Sequence, residues 1–117
     1  MKKRVLIVDD DKFVQDILAM MLSKNYEVIK ASNGNEAIEK YLAYKPDLVL
    51  MDIEMPQMDG IQATKEILKR DSKAKIVGIT AFAPQKGENM IKAGALEVVS
   101  KPITKLKLIE VVKRHIE

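Results

Sequence analysis

The sequence contains no cysteine and no tryptophan, and it has a single histidine, His115. The absence of cysteine excludes a disulfide framework, a thiol nucleophile and a thiolate metal site. One histidine cannot build a multi-histidine metal site or a cysteine–histidine pair. Aromatic residues make up only 4 % of the chain, which argues against the stacking platforms that bind single-stranded nucleic acid. A functional site must therefore be sought among other residue types.

Long hydrophobic runs and a strong charge of one sign are absent as well. The apolar run Val5–Val8 stops at Asp9, which is too short for a signal peptide or a membrane span, so we expect a cytoplasmic protein without membrane insertion. Lysine and arginine number 20 against 17 acidic residues, a formal net charge of +3. Such a small excess is typical of a solvated surface, and we expect no nucleic-acid partner. The length of 117 residues predicts one domain, residues 1–117.

Short apolar runs alternate with segments of helical periodicity along the whole chain. Five runs predict strands, namely Val5–Val8, Glu27–Lys30, Leu48–Met51, Ile76–Ile79 and Leu96–Ser100. The segments after them predict five helices, the second capped by Asn35 and the fourth interrupted by Gly87. Apolar residues at helical spacing are expected to face the core, among them Phe13, Ile17, Met20 and Met21 in the first helix and Leu106, Ile109, Val112 and Ile116 in the last. Continuously apolar strands are typical of a parallel sheet covered on both faces, so the sequence predicts a doubly wound α/β fold.

Polar and charged side chains follow four of the five predicted strands. The run Asp9–Asp11 comes directly after the first strand. The third strand ends at Asp52, the fourth at Thr80 and the fifth at Lys101. Ligands of a doubly wound sheet bind at the carboxyl ends of its strands, which lie at one edge. We therefore expect these side chains to converge into one reactive site.

A cluster of carboxylates at that edge would require a counter-ion. Asp9, Asp10 and Asp52 would repel one another, and a hard divalent cation relieves such repulsion. Few oxygen ligands with room for water suit Mg²⁺, the usual companion of a phosphoryl group. Lys101 supplies a positive charge to a phosphoryl oxygen, and Thr80 supplies a hydrogen bond to another. Asp52, between them, is the expected oxygen nucleophile that would form an acyl phosphate.

These pieces together resemble the receiver domain of two-component response regulators, of the CheY-like type. The resemblance covers essentially all 117 residues. It is carried by five pieces in order, Val5–Asp10, Asp52–Gly60, Thr80-Ala81, Gly94-Ala95 and Lys101-Pro102. It implies a flavodoxin-like fold, a doubly wound sheet of five parallel strands with five helices, and a stand-alone single-domain regulator.

The resemblance also implies roles for individual residues. Asp52 matches the phosphoacceptor. Asp9 and Asp10 match the acidic pair that binds Mg²⁺, with Asp52 and the backbone carbonyl of Glu54 as further ligands. Lys101 matches the lysine that contacts the phosphoryl group, and its peptide bond to the following proline is expected to be cis.

Thr80 matches the hydroxyl that moves towards the phosphoryl group on activation. Members of the family take that group from a phosphohistidine on a sensor histidine kinase or phosphotransfer protein, or from small donors such as acetyl phosphate, and hydrolyse it themselves. The first helix with the loop after the fifth strand is the expected kinase surface. A downstream protein target is expected on the face of helix 4, strand 5 and helix 5. The resemblance implies a signalling protein rather than an enzyme, monomeric or dimerising on phosphorylation.

The sequence departs from the family pattern at Val98. The family usually has tyrosine or phenylalanine three residues before the lysine, and that ring swings inward as the threonine moves. Valine cannot make this movement, so coupling to output is either lost or follows a different route. Glu54 and Phe82 stand at positions that tune the lifetime of the phosphoryl group in the family, and we expect Phe82 to cover part of the site.

Two other functions account for part of the sequence. A phosphohydrolase with an aspartyl-phosphate intermediate would use similar chemistry, but such enzymes typically carry Asp-x-Asp after the first strand and a cap domain. The alternative that Val98 favours is a phosphorylation-independent binding module, which the complete acidic, threonine and lysine set opposes. No glycine-rich nucleotide loop follows any predicted strand. Simpler interpretations also apply to Asp11 as a helix cap, Asp59 as a turn residue beside Gly60, and His115 as a surface residue near a helix end.

Overall fold

The computed structural model, which describes residues 1–81 and 84–116, forms one parallel sheet with helices on both faces. The strands among these residues are β1 (Arg4–Val8), β2 (Glu27–Ala31), β3 (Leu48–Asp52), β4 (Ile76–Thr80) and β5 (Glu97–Ser100). The helices are α1 (Lys12–Leu22), α2 (Gly34–Tyr44), α3 (Gly60–Arg70), α4 (Pro84–Lys92) and α5 (Lys105–Ile116). The strand order is β2-β1-β3-β4-β5. The doubly wound fold that the sequence predicts is confirmed.

Apolar side chains project from both faces of the central strands, so the sheet lies between two core layers. On β1, Val5 and Ile7 pack in the layer that contains the buried faces of α1 and α5. Leu6 and Val8 pack in the opposite layer, with α2, α3 and α4. Full burial of side chains of this size contributes roughly 1.5–3 kcal/mol each. Packing on both faces holds the strands in place, and this sets the positions of the strand ends.

Side chains cap the N-termini of α1, α2 and α3. Asp11, Asn33 and Asp59 cap α1, α2 and α3, and each accepts a hydrogen bond from a backbone N–H of the first turn. The prediction of Asn35 as the cap of α2 is wrong. Asn33 still has extended backbone and accepts from the amide of Glu36 at 2.8 Å, whereas Asn35 lies inside the first turn, where its side chain cannot cap the helix.

Several apolar residues that the sequence places in the core lie on the surface. Phe13 is 73 % exposed, Met20 is 78 % exposed and Leu106 is 82 % exposed. A helix turns by about 100° per residue, so Phe13 and Met20 lie on the side of α1 opposite the buried Leu18. On α5, Leu106 likewise lies on the side opposite the buried Leu108. The core assignment of these three residues is therefore wrong. Within the described ranges, no helix is both long and apolar enough to cross a membrane.

The strand order places a crevice at the carboxyl ends of β1 and β3. The chain leaves β1 to form β2 on one side and then returns to form β3 on the other side of β1. Such a reversal leaves room between the loops that follow the two central strands. The loops after β1 and β3 are those that carry the aspartates of the predicted site.

Candidate functional site

Side chains from four strand ends meet at the carboxyl edge of the sheet. Asp52 is the last residue of β3 and Thr80 is the last of β4, while Asp9 and Lys101 follow β1 and β5 directly. The Lys101 Nζ atom lies 3.2 Å from Asp9 Oδ2 and 3.4 Å from Asp52 Oδ1. Asp9, Asp52 and Thr80 are at most 5 % exposed. The structure therefore brings together the two aspartates and the lysine as predicted.

Asp9, Asp10 and Asp52 form a carboxylate cluster. One oxygen atom from each lies within 4.8 Å of the others, close enough to share an ion. Asp52 Oδ1 is buried, and no group among the described residues makes a well-aligned hydrogen bond to it; the Lys101 ammonium forms an ion pair with it at 3.4 Å. A buried acceptor that lacks a hydrogen bond costs about 1–3 kcal/mol. Asp10 is exposed, so water can reach the cluster. This donor set fits Mg²⁺, which binds hard oxygen ligands and keeps part of its water.

The electrostatics of the cluster are those of crowded carboxylates beside one cation. Burial, followed by the charge of Asp9, raises the pKa of Asp52 from 3.8 to about 6, although Lys101 acts in the opposite direction. Burial lowers the pKa of Lys101, but the charges of Asp52 and Asp9 outweigh it and hold that pKa above its ordinary value. Lys101 therefore stays protonated, and the ionised cluster keeps a net negative charge that attracts a further cation.

The side chain of Glu54 contacts the carboxyl end of β4. The Thr80 hydroxyl donates to Glu54 Oε2 at 2.7 Å, and the backbone N–H of Ala81 donates to Oε1 at 3.1 Å. Hydrogen bonds to an ionised acceptor are stronger than those between neutral groups. The sequence interpretation assigned Glu54 a metal-binding carbonyl and an influence on phosphoryl lifetime. The contact between its side chain and Thr80 was not predicted.

Gln15 is a buried polar residue of α1 that the sequence interpretation missed. Its Nε2 atom lies 2.6 Å from the carbonyl oxygen of Asp9, 3.1 Å from that of Ala31 and 3.0 Å from Ser32 Oγ. Because carbonyl oxygens only accept, the amide nitrogen must face them. Gln15 thereby joins the ends of β1 and β2 and fixes the backbone of Asp9. A polar residue three positions before Leu18, on the apolar face of α1, is the signal that could have identified it.

Three further predictions concern the peptide bond after Lys101 and the residues Val98 and Phe82. The Lys101–Pro102 peptide bond is cis, as expected. Val98 on β5 is half-buried and fills the space beside Gly78 and Gly87, with its methyl groups 3.4 Å and 3.5 Å from where a Cβ atom on each glycine would lie. Phe82 lies outside the described residues.

His115 lies in the last turn of α5, as predicted, and it belongs to a cluster of charged groups there. Its Nε2 atom lies 2.7 Å from Glu97 Oε2, and Arg114 forms an ion pair with Glu97. Lys75 donates to the backbone carbonyl of His115 at 2.9 Å. These contacts join the end of α5 to β5 and to the start of β4, which is a structural role.

An apolar groove of about 480 Å³ lies beside the carboxylate cluster. Val14, Ile17 and Leu18 of α1 form one wall. The other wall is formed by the end of the sheet and the loop after β5, with Ile79, Ala81, Lys101, Pro102 and Ile103. Lys101 belongs both to this groove and to the ion pairs of the carboxylate cluster. The groove therefore leads from the surface of α1 to the site.

Comparisons with known proteins agree with this geometry. Residues 5–113 match the family model of the response regulator receiver domain. The chain is similar to the chemotaxis protein CheY of Thermotoga maritima, with 46 % identity over 117 residues that cover 97 % of this chain and 98 % of that protein. Among solved structures, Vibrio cholerae CheY4 has a TM-score of 0.93 at 26 % identity, covering 98 % of this chain and 99 % of that one. A chain of the CheX–CheY–BeF3–Mg complex of Borrelia burgdorferi has a TM-score of 0.89 at 32 % identity, covering 96 % and 87 %.

Proposed function

The chain belongs to the response regulator receiver domain family, and from this premise we propose that Asp52 accepts a phosphoryl group in a Mg²⁺-dependent reaction. Receiver domains of the CheY-like type are signalling proteins rather than enzymes in the usual sense. Asp9, Asp10, Asp52 and the backbone carbonyl of Glu54 would hold the ion. We also propose that residues 1–117 form one receiver domain.

The observation that carries this proposal is the environment of the Asp52 carboxylate. It is buried, and its Oδ1 atom has no hydrogen-bond partner within the described part of the chain, while the Lys101 ammonium lies 3.4 Å away. In the transfer, an Asp52 oxygen bonds to phosphorus as the donor's P–O bond breaks, and the electron pair leaves with acetate when acetyl phosphate is the donor. Lys101 and Thr80 bind phosphoryl oxygens. Bound Mg²⁺ supplies further charge neutralisation.

Labelling by acetyl phosphate tests the proposal directly. We expect the intact mass to rise by one phosphoryl group when acetyl phosphate and Mg²⁺ are present. A chelator should remove the gain and added Mg²⁺ should restore it, because the carboxylates alone repel the donor. If a receiver of known activity is labelled under the same conditions and this chain is not, the phosphorylation-independent binding module, which Val98 favours, becomes the better interpretation.

The proposed protein donor is a phosphohistidine on a sensor histidine kinase or a phosphotransfer protein, and the proposed docking surface is the groove along α1. The groove is apolar and reaches Lys101 and Ala81 at the site. Phe13 and Met20, on the same helix, add exposed apolar surface. Lys101 lines the groove and also forms an ion pair with Asp52. A partner bound in the groove would therefore have its donor group next to Asp52.

Replacing Ile17 with serine is expected to slow transfer from a phosphohistidine donor by roughly tenfold, because truncating an apolar contact at an interface commonly costs this much. Ile91→Ser on α4 is the matched control, since Ile91 is also a helical isoleucine and is 47 % exposed. Labelling by acetyl phosphate in each variant serves as the reference. Transfer that falls equally in both variants, or in parallel with acetyl phosphate labelling, would argue against the groove as the docking surface.

The proposed output is a contact with a downstream protein on the face of α4, β5 and α5. Val98 lies in this region, between β4 and Gly87 of α4. We expect coupling to output either to be lost or to follow a different route, because valine stands where the family usually has an aromatic residue.

A further inference from the structure

One carboxylate accepts hydrogen bonds from two donors at the carboxyl end of β4. Glu54 Oε2 accepts from the Thr80 hydroxyl at 2.7 Å, and Glu54 Oε1 accepts from the Ala81 amide at 3.1 Å. Each oxygen takes a different donor, so the side chain binds them in a bidentate way. An adjacent hydroxyl and backbone amide can hold any oxyanion in the same manner.

We propose that Glu54 is an internal substitute for the phosphoryl group, and that its carboxylate holds Thr80 and Ala81 until an anion on Asp52 displaces it. We call this pair of hydrogen bonds the Glu54 latch. The proposal rests on the proposed function above, because it concerns the anion that Asp52 would carry.

The position of the latch next to Asp52 supports competition for the same donors. Strands β3 and β4 are neighbours, and Asp52 is in register with Ile79, so Thr80 is the next residue along β4. A carboxylate accepts hydrogen bonds and a phosphoryl oxygen does the same, so one donor proton cannot serve both fully. The negative charge of Glu54 would also repel an anion on Asp52. Binding of a phosphoryl group to Thr80 therefore requires the latch to open.

The consequence is a lower affinity for anions at Asp52 than the donors alone would allow. Opening the latch breaks two charge-assisted hydrogen bonds, and this loss subtracts from the binding of the anion. Glu54 is half-buried, so its carboxylate can turn to solvent once it is released. A variant without the latch should bind a phosphoryl analogue roughly tenfold more tightly, because water around the released carboxylate offsets most of the loss of the two hydrogen bonds.

The test titrates beryllofluoride, a phosphoryl analogue, with Mg²⁺ into the full chain and its Glu54 variants. Glu54→Asp keeps the charge but is one methylene shorter, so it cannot reach both donors. Glu54→Gln removes the charge and keeps the length. Glu88→Gln, at an exposed residue of α4 that pairs with Lys92, controls for net charge. Amide hydrogen exchange of Ala81 without any anion reports the latch directly and should be roughly tenfold faster in Glu54→Asp, whereas the Glu54→Gln amide oxygen can still accept from Ala81.

We expect Glu54→Asp and Glu54→Gln both to bind beryllofluoride roughly tenfold more tightly than the unchanged chain, and Glu88→Gln to resemble it. If Glu54→Asp resembles the unchanged chain and Glu54→Gln alone binds more tightly, charge explains the effect and the latch is overturned. Unchanged Ala81 exchange in Glu54→Asp, or no binding by any variant, also overturns it. Failure of the proposed function is distinguishable, since it appears as absent acetyl phosphate labelling in the unchanged chain.

Discussion

Replacing Asp52 with asparagine is expected to abolish labelling by acetyl phosphate and to make the protein more stable at alkaline pH. The mass gain should disappear because an amide is not the carboxylate nucleophile that an acyl phosphate requires. The stability gain has a separate cause. Burial and the charge of Asp9 raise the pKa of Asp52 to about 6. A carboxyl group whose pKa is higher in the folded state costs stability once it is ionised, and asparagine removes this cost.

The pH dependence of this second effect has a definite sign. As the pH rises from 3.8 to about 6, the unfolded chain loses the Asp52 proton before the folded protein does, so the stability of the unchanged protein falls. Without Mg²⁺, we expect Asp52→Asn to be about 1–2 kcal/mol more stable at pH 8, allowing for solvent screening, with a Tm about 5–10 °C higher. The difference should shrink towards pH 4. Thermal unfolding followed by circular dichroism in a chelating buffer measures it.

Asp11→Asn is the matched control for this variant. Asp11 is an exposed neighbour of the cluster that caps α1, and asparagine caps a helix equally well. This control should keep the label and change stability by less than about 0.5 kcal/mol. A label retained by Asp52→Asn would identify another acceptor. An unchanged Tm at pH 8 would show that the ionised Asp52 carboxylate carries no net cost.

Replacing Gly60 with alanine is expected to destabilise the protein by about 3 kcal/mol, because the new methyl group meets backbone. A Cβ atom on Gly60 would lie 2.2 Å from the carbonyl oxygen of Asp52 and 2.9 Å from the Cα atom of Ile53. No rotamer change can relieve contacts with main-chain atoms. The Gly60 amide also donates to the carbonyl of Ile53 at 3.0 Å, so the start of α3 cannot move away without losing that bond. The Tm should fall by about 12–18 °C.

Gly87→Ala provides a control of the same chemistry in another place. A Cβ atom on Gly87 would lie 3.5 Å from Val98 Cγ1, an ordinary contact. Alanine should stabilise the interior of α4 by about 0.5–1 kcal/mol through helix propensity. Urea denaturation measures the free energy of unfolding of both variants and of the unchanged chain. If Gly60→Ala and the unchanged chain had the same free energy of unfolding, the loop after β3 would be able to shift and accommodate the methyl group at little cost. Labelling should also fall in Gly60→Ala, since the clash displaces Asp52.

The sequence predicts the fold well because burial on two faces leaves a clear pattern. The run Leu48–Met51 is apolar at every position, and it forms the fully buried strand β3. Helix orientation is harder to predict, since α1 carries apolar residues around most of its circumference. Phe13 and Met20 have helical spacing, but so do Leu18 and Leu22, and only packing against the sheet decides which side is buried.

The site is predictable in part for a reason of topology. Parallel strands place their carboxyl ends at one edge, so Asp9, Asp52 and Lys101 could be expected together before any distance was known. Contacts between side chains of distant segments could not be expected from the sequence. Gln15 reaches the ends of two strands, and Glu54 meets a hydroxyl that is 26 residues away along the chain. Neither contact leaves a periodic or spacing signal in the sequence.

Both edges of the sheet carry charged residues, and this affects how copies of the chain can associate. On β2, Glu27 and Lys30 each form an ion pair at 2.9 Å with a neighbouring element. On β5, Glu97 is paired with Arg114 and His115 at the end of α5. A foreign strand added to either edge would have to remove water from these charges, which is costly. The sheet is thereby protected against edge-to-edge aggregation, and its helical faces are left as the surfaces for reversible contacts.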